Sequence, residues 1–199
     1  ISKKKIKARD LMNQFCQERI GTGRIYLMNI DHTNTHSSFI DKIEMANLCL
    51  EACLPTTPIS HIDDEEGEIA LCTLAALNVG ILKNFNELED ICENVVRALD
   101  SVIENQDYPV KGARKMLKRR SIGVGITNFA YWLAKNDLTY DDPNALPMVD
   151  ELMEHVQYYL LKASNKLARE FGPCEYFNRT KYSQGILPID TYNKNVDTL

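Results

Sequence analysis

Asn47, Cys49 and Glu51 stand two residues apart in Asn47-Leu48-Cys49-Leu50-Glu51, where polar and apolar residues alternate. On an extended backbone successive side chains point to opposite sides. The alternation therefore predicts an amide, a thiol and a carboxylate on one face, about 6–7 Å apart, with Leu48 and Leu50 anchoring the other. On a helix the grouping fails, because residues two apart do not face each other. Three readings of this set are open. Cys49 with His32, His36, Cys53 and Cys72 offers nitrogen and sulfur ligands for a non-enzymatic zinc-binding α/β module, although the cysteines lack paired C-x2-C spacing. A cysteine nucleophile would take His32, His36 or His61 as its base, without a local signature to support it. In the third reading the thiol and carboxylate lie on a sheet edge and do no chemistry. Against that, a carboxylate pointing inward between leucines is costly to bury without a purpose.

The surrounding chain must position this stretch. Ile6 to Ile20 reads as a helix, with Leu11, Met12, Phe15 and Cys16 at helical spacing and Gly21 and Gly23 as a stop. Arg24 to Asn29 reads as a short buried strand and Asp31 to Ser38 as a polar loop. The central stretch runs to Leu54 and is closed by Pro55 and Pro58; Ser60 to Gly67 is a charged turn with an exposed His61. Glu68 to Val79 is apolar around Cys72, and its periodicity does not decide between strand and helix. Asn86 to Gln106 is the clearest helix, with Asn86 and Glu89 as a capping box. Val149 to Glu170 is a second amphipathic helix, stopped by Gly172-Pro173. Between them, Lys111 to Arg120 is a basic segment that reads as a solvated helix face, with an anion contact as the functional alternative. Gly123-Val124-Gly125 lacks the third glycine of a dinucleotide fingerprint and reads as close packing of a strand against a helix. Asn136 to Pro147 reads as a polar loop. The tail from Cys174 on reads mostly as loop. Short buried strands between long helices indicate an α/β layer or barrel.

A length of 199 residues suits one domain, and the balance of apolar and charged residues is that of a soluble globular protein. The net charge of -5, without a charged tail, points to neither nucleic acid nor membrane as a partner. No apolar run approaches the roughly 18 residues that span a bilayer. With no secretion signal, the six cysteines read as thiols in a reducing cytoplasm, and Cys16 and Cys92, on apolar helical faces, as small buried hydrophobes. The chain starts at Ile1 rather than Met, and the expectation is an interior piece of a longer protein.

Asn47-Leu48-Cys49-Leu50-Glu51, followed by Gly67-Glu68-Ile69-Ala70-Leu71-Cys72-Thr73-Leu74, resembles the active-site region of the large (alpha) subunit of class I ribonucleotide reductases. Further segments resemble that family in order. They include Thr22-Gly23-Arg24-Ile25-Tyr26, Asp31-His32, Asn34-Thr35-His36-Ser37, Gln106-Asp107-Tyr108-Pro109 and Arg119-Arg120. Asn128-Phe129-Ala130-Tyr131, Gln157 to Asn165 and Gly185 to Tyr192 continue the series, so the likeness covers nearly the whole chain.

The resemblance implies a ten-stranded α/β barrel, of which residues 1–199 form one partial, helix-rich domain with the active-site loop at about 47–54 and no complete second domain. It implies reduction of ribonucleoside diphosphates to deoxyribonucleoside diphosphates. The cysteine matching Cys49 becomes a thiyl radical and removes the 3′ hydrogen of the ribose. Glu51 matches the general base for the 3′-hydroxyl proton, and Asn47 the amide that orients the ribose. Asn47, Leu48, Cys49, Leu50 and Glu51 form the substrate-binding stretch. Cys72 matches one of two cysteines that end as a disulfide, reset by thiol exchange. No catalytic role is implied for Cys53, Cys92 or Cys174. Nor is a cofactor implied within this chain: the radical cofactor belongs to a separate small subunit, and thioredoxin or glutaredoxin is the reductant. Full-length large subunits would pair as a homodimer. The second redox cysteine lies upstream of the matching region, and the tyrosine pair that relays the radical lies downstream.

Overall fold

The computed structural model describes residues 3–195. Its frame is a β-α-β unit. Strand β1 (Thr73–Asn78) leads through a 3-10 turn at Val79–Ile81 into a long helix, and the chain returns through β2 (Ile122–Thr127), parallel to β1. Parallel neighbours require such a crossover. The apolar run left undecided between helix and strand is thus a strand over its second half.

Two helices, α1 (Ala8–Thr22) and α2 (Ile30–His36), precede the strands. The crossover is α3 (Glu87–Asn105), followed by the short helices α4 (Lys111–Arg114) and α5 (Met116–Arg119). After β2 come α6 (Phe129–Lys135), α7 (Ala145–Phe171) and α8 (Pro188–Asn195).

The core lies between β1 and the helices. Leu77 and Val79 meet Leu88 and Cys92 of α3, Trp132 and Leu133 of α6, and Leu152 and Val156 of α7. Leu88, Cys92, Val96, Leu99 and Ile103 are the buried stripe of α3, so the expected amphipathic helix forms with its apolar residues inward. Lys162–Glu89, Lys166–Glu93 and Arg97–Glu170 join α7 to α3 at a constant offset of 73 residues, so the two helices run in the same direction. These pairs are partly exposed, and each adds little stability beyond that of the buried seam.

Several local expectations are corrected. The capping box is absent: Asn86 makes no side-chain bond to α3, and the turn is closed instead by the Asn84 side chain accepting the Asn86 N–H at 3.1 Å. Helix α7 begins at Ala145, inside the stretch expected as loop. Pro147 is tolerated there because first-turn amides have no helical acceptor. Residues 24–29 are neither strand nor buried, since no described strand pairs with them. Asp31 to His36 is helical rather than loop. Cys16 is exposed, because the apolar residues of α1 find no covering element among the described residues. That helix runs through Gly21 and stops at Gly23, whose φ of 65° lets its N–H reach the Arg19 carbonyl at 2.9 Å. The tail holds 3-10 turns and α8 rather than plain loop.

Leu152 is fully buried at the junction of α7 with the core. Leu152→Ala should lower unfolding stability by about 2–5 kcal/mol, as measured by urea denaturation.

Candidate functional site

Of the residues singled out for chemistry, Glu51 and Cys72 are coupled electrostatically just before β1, whereas His32 and His36 lie on α2. Asn47 to Glu51 is not extended as the alternation suggested. Leu48 and Cys49 form a turn, and Leu50 has a φ of 62°. The Leu50 N–H donates to the Asn47 carbonyl at 3.2 Å, and the Asn47 N–H donates to the Ala52 carbonyl at 3.1 Å. The Ala52 N–H in turn donates to Asn47 Oδ1 at 3.1 Å. Asn47 therefore closes a tight loop with Cys49 at its tip. Leu48 is 81% exposed, so it does not anchor the loop in the core, and Asn47, Cys49 and Glu51 are exposed as well. The one-face argument fails because the turn reverses the chain before the period-2 pattern can act. With Oδ1 engaged, the amide donors of Asn47 remain available to a ligand.

Cys72 directly precedes β1. The strand's side chains alternate: Leu77 enters the core, while Leu74 and Ala76 face away from it. Cys72 shares the parity of Leu74, and so the face that is open here. Gly123 is paired with Leu74 in register. A Cβ on Gly123 would stand 2.6 Å from Leu74 Cδ2 and 3.1 Å from Cys72 Sγ. The glycine thus makes room for the neighbouring strand's side chains rather than for a helix. The Cys72 thiol is pushed up from its ordinary value, first by burial and then by the nearby Glu51 carboxylate, whose charge opposes a thiolate. The loop's carboxylate is thus electrostatically coupled to the thiol that precedes β1.

The base of the loop is held by residues that the sequence reading missed. Ile43, fully buried, donates its N–H to Asn34 Oδ1 at 2.8 Å, and Asn34 Nδ2 donates to the Ile43 carbonyl at 2.9 Å. On the far side Thr57 and Glu68 form an antiparallel bridge. Arg119 was expected on a solvated face, but it is buried. Its Nε and NH2 donate to the two oxygens of Glu68, and NH2 also donates to Asp41 Oδ2 at 3.1 Å. The guanidinium lies against the rings of Phe39 and Tyr176, and Arg179 also pairs with Asp41. Burial opposes the charge on Arg119, but the carboxylates outweigh it and raise its pKa. The signal was the basic run itself, but no periodicity distinguishes a solvated arginine from one that meets carboxylates far along the chain.

The zinc arrangement is not assembled. Among the described residues no three His, Cys, Asp or Glu side chains converge to hold a metal, and His32 and His36 meet only edge to face, 6.3 Å apart, on α2. All six cysteines are free. Cys92 is buried as expected, and its thiol is pushed up to about 11 by burial, which suits an inert core residue. His61 is exposed, and His155 packs on Phe85 at 4.8 Å.

A parallel β-α-β layer, with an exposed thiol at the tip of a tight loop and a second thiol just before β1 on the open sheet face, defines an α/β protein. The chain belongs to the ribonucleotide reductase barrel-domain family: the model described as "Ribonucleotide reductase, barrel domain" matches residues 1–198. Its sequence is 52% identical to the ribonucleoside-diphosphate reductase subunit alpha of Haemophilus influenzae over the whole of this chain and 27% of that protein. Identity to the corresponding subunit of Enterobacteria phage T4 is 46%, over the whole chain and 26% of that protein. The alpha subunit of a class Id ribonucleotide reductase from Actinobacillus ureae superposes with a TM-score of 0.72 at 26% identity, covering 85% of this chain and 33% of that one. The chain thus spans about a quarter of the curated relatives it matches. Its fold is of the ribonucleotide reductase barrel type, helix-rich, with a small parallel sheet.

Two measurements test this geometry. Asn47→Ala removes the side-chain acceptor of the Ala52 N–H, and hydrogen exchange at that amide should quicken roughly fivefold, the value of one modest hydrogen bond. Glu51→Gln removes a negative charge beside Cys72, lowers the pKa of that thiol and enlarges its thiolate fraction. Alkylation of Cys72 at pH 8, followed residue by residue by mass spectrometry, should become faster; an unchanged rate would contradict the coupling.

Proposed function

We propose that this chain is the central part of the catalytic barrel of a ribonucleoside-diphosphate reductase alpha subunit, one partial domain with its active-site loop at about 47–54. The observation that carries this reading is the tight loop bearing Asn47, Cys49 and Glu51, with the Glu51 charge contributing, after burial, to the raised pKa of the Cys72 thiol. In this reading an amide, two thiols and a carboxylate work together at the open sheet face.

Replacing a ribose 2′ C–OH by C–H consumes two electrons and two protons and releases water. A dithiol becoming a disulfide supplies both. In this reading Cys72 is one of the two thiols, and the other comes from an upstream part of the polypeptide. Cys49, as a thiyl radical, takes the 3′ hydrogen; an S–H bond is close in strength to a ribose C–H bond, so the hydrogen can be returned. Glu51 accepts the 3′-hydroxyl proton, which requires hydrogen-bond reach of that hydroxyl. Asn47, with Oδ1 engaged in the loop, offers its amide donors to the ribose. Leu48 and Leu50 complete the substrate-facing loop. The raised pKa of Cys72 keeps it a thiol, able to give hydrogen, until it is oxidised.

The radical itself comes from a separate small subunit. Thioredoxin or glutaredoxin is the dithiol that reduces the disulfide. The complete polypeptide acts as a homodimer in the cytoplasm, and the tyrosine pair that passes the radical lies downstream of the matching region.

In the full-length protein with its small subunit, Cys49→Ser should abolish deoxyribonucleotide formation while nucleotide still binds; retained turnover would refute the thiyl role. Cys72→Ser should prevent multiple turnover with a dithiol, measured as product per active site, and steady turnover would remove Cys72 from the redox pair.

A further inference from the structure

Arg119 and Arg120 are neighbours with separate duties. Arg120, at a φ of 52°, donates through Nε to Asp100 at 2.6 Å and through NH1 to Glu104 at 2.7 Å, so it ties the start of β2 to α3. Arg119 serves the base of the active-site loop instead. That base has two arms. One ends at Asp41, six residues before Asn47. The other ends at Thr57, six residues after Glu51, and Thr57 exchanges two backbone hydrogen bonds with Glu68 at 3.0 and 2.9 Å. Glu68 lies four residues before Cys72. Asp41 and Glu68 both bind the Arg119 guanidinium.

The loop and the lead into β1 are therefore referenced to one planar group. A guanidinium can do this because its donors form a rigid fork; an ammonium is a single point charge and cannot hold both carboxylates in that geometry. Phe39 and Tyr176 confine the plane, at 5.5 and 5.1 Å from ring centre to Cζ. The remaining nitrogen, NH1, is buried without an acceptor, which leaves the charge dependent on these two carboxylates.

We infer that Arg119 is a positioning residue: through Asp41 and Glu68 it sets where Cys49 and Glu51 stand relative to Cys72. The inference rests on the reading of those three residues given above. It gives the buried ion cluster a part in the reaction without contact with substrate.

The test uses the full-length enzyme with its small subunit and a dithiol reductant. Arg119→Lys and Asp41→Asn should each lower kcat on the order of 10–100-fold, the effect of a small misplacement of reacting groups, with the KM for nucleoside diphosphate within about twofold of the parent. Arg120→Lys, which weakens the neighbouring ion pairs but leaves the loop base alone, should keep kcat within about twofold. Should Arg119→Lys fail to fold, Asp41→Asn decides, because it retains the side chain's size and an acceptor. The inference is overturned if both loop-base variants keep the parent kcat, if only KM changes, or if Arg120→Lys loses as much. Cys49→Ser is run alongside. An inactive Cys49→Ser with fully active Asp41→Asn and Arg119→Lys would remove the positioning role alone, whereas an active Cys49→Ser would remove the underlying reading.

Discussion

The buried guanidinium of Arg119 is the interaction that ties together the segments flanking the loop and the lead into β1. An ion of this kind is unfavourable in an apolar interior unless its partners are charged, close and well aimed. Glu68 meets it with two oxygens, Asp41 adds a third contact, and two aromatic rings close the remaining sides. The cluster draws together segments far apart in the chain: the turn after α2, the lead into β1, the end of α5, and residues 176–179. Removing one member would leave a charge in the interior, so the cluster behaves as a unit.

The sheet then divides the labour between its faces. One face carries Leu77, Val124 and Ile126 toward α3, α6 and α7, and supplies the apolar burial that holds the layer together. The other carries Cys72 and stays narrow in side chains because Gly123 leaves room beside the sulfur. The loop from Asp41 to Thr57 carries Glu51, whose charge acts on that thiol. A packed face and an open, thiol-bearing face thus share one pair of strands.

Much of the architecture was legible because the governing contacts are local. The stripe of α3 follows from helical spacing, and Gly23 and Gly172 terminate their helices by the backbone conformations expected of glycine. What was misread depended on contacts that periodicity does not carry. Residues 24–29 have strand-like composition but no strand beside them. Cys16 has a helical apolar setting but nothing packed over it. Asn47 to Glu51 alternates like a strand, yet the Asn47–Ala52 hydrogen bonds turn it back on itself. Arg119 sits in a basic run, and its burial follows from two carboxylates 51 and 78 residues away.

By itself the sequence determined the chemical groups, their order and, through the likeness of many ordered motifs, the family to which they belong. These are properties of residue type and spacing, present before any folding. Only the tertiary structure decided that the Glu51 charge acts on Cys72, that Cys49 rides the tip of a turn rather than the face of a strand, and that a buried arginine holds the loop's base. The turn at Cys49 is set by the Asn47–Ala52 hydrogen bonds, whereas the other two outcomes depend on distances between residues separated by tens of positions. Such distances come from packing and from the pairing of buried charge, which no local pattern along the chain records.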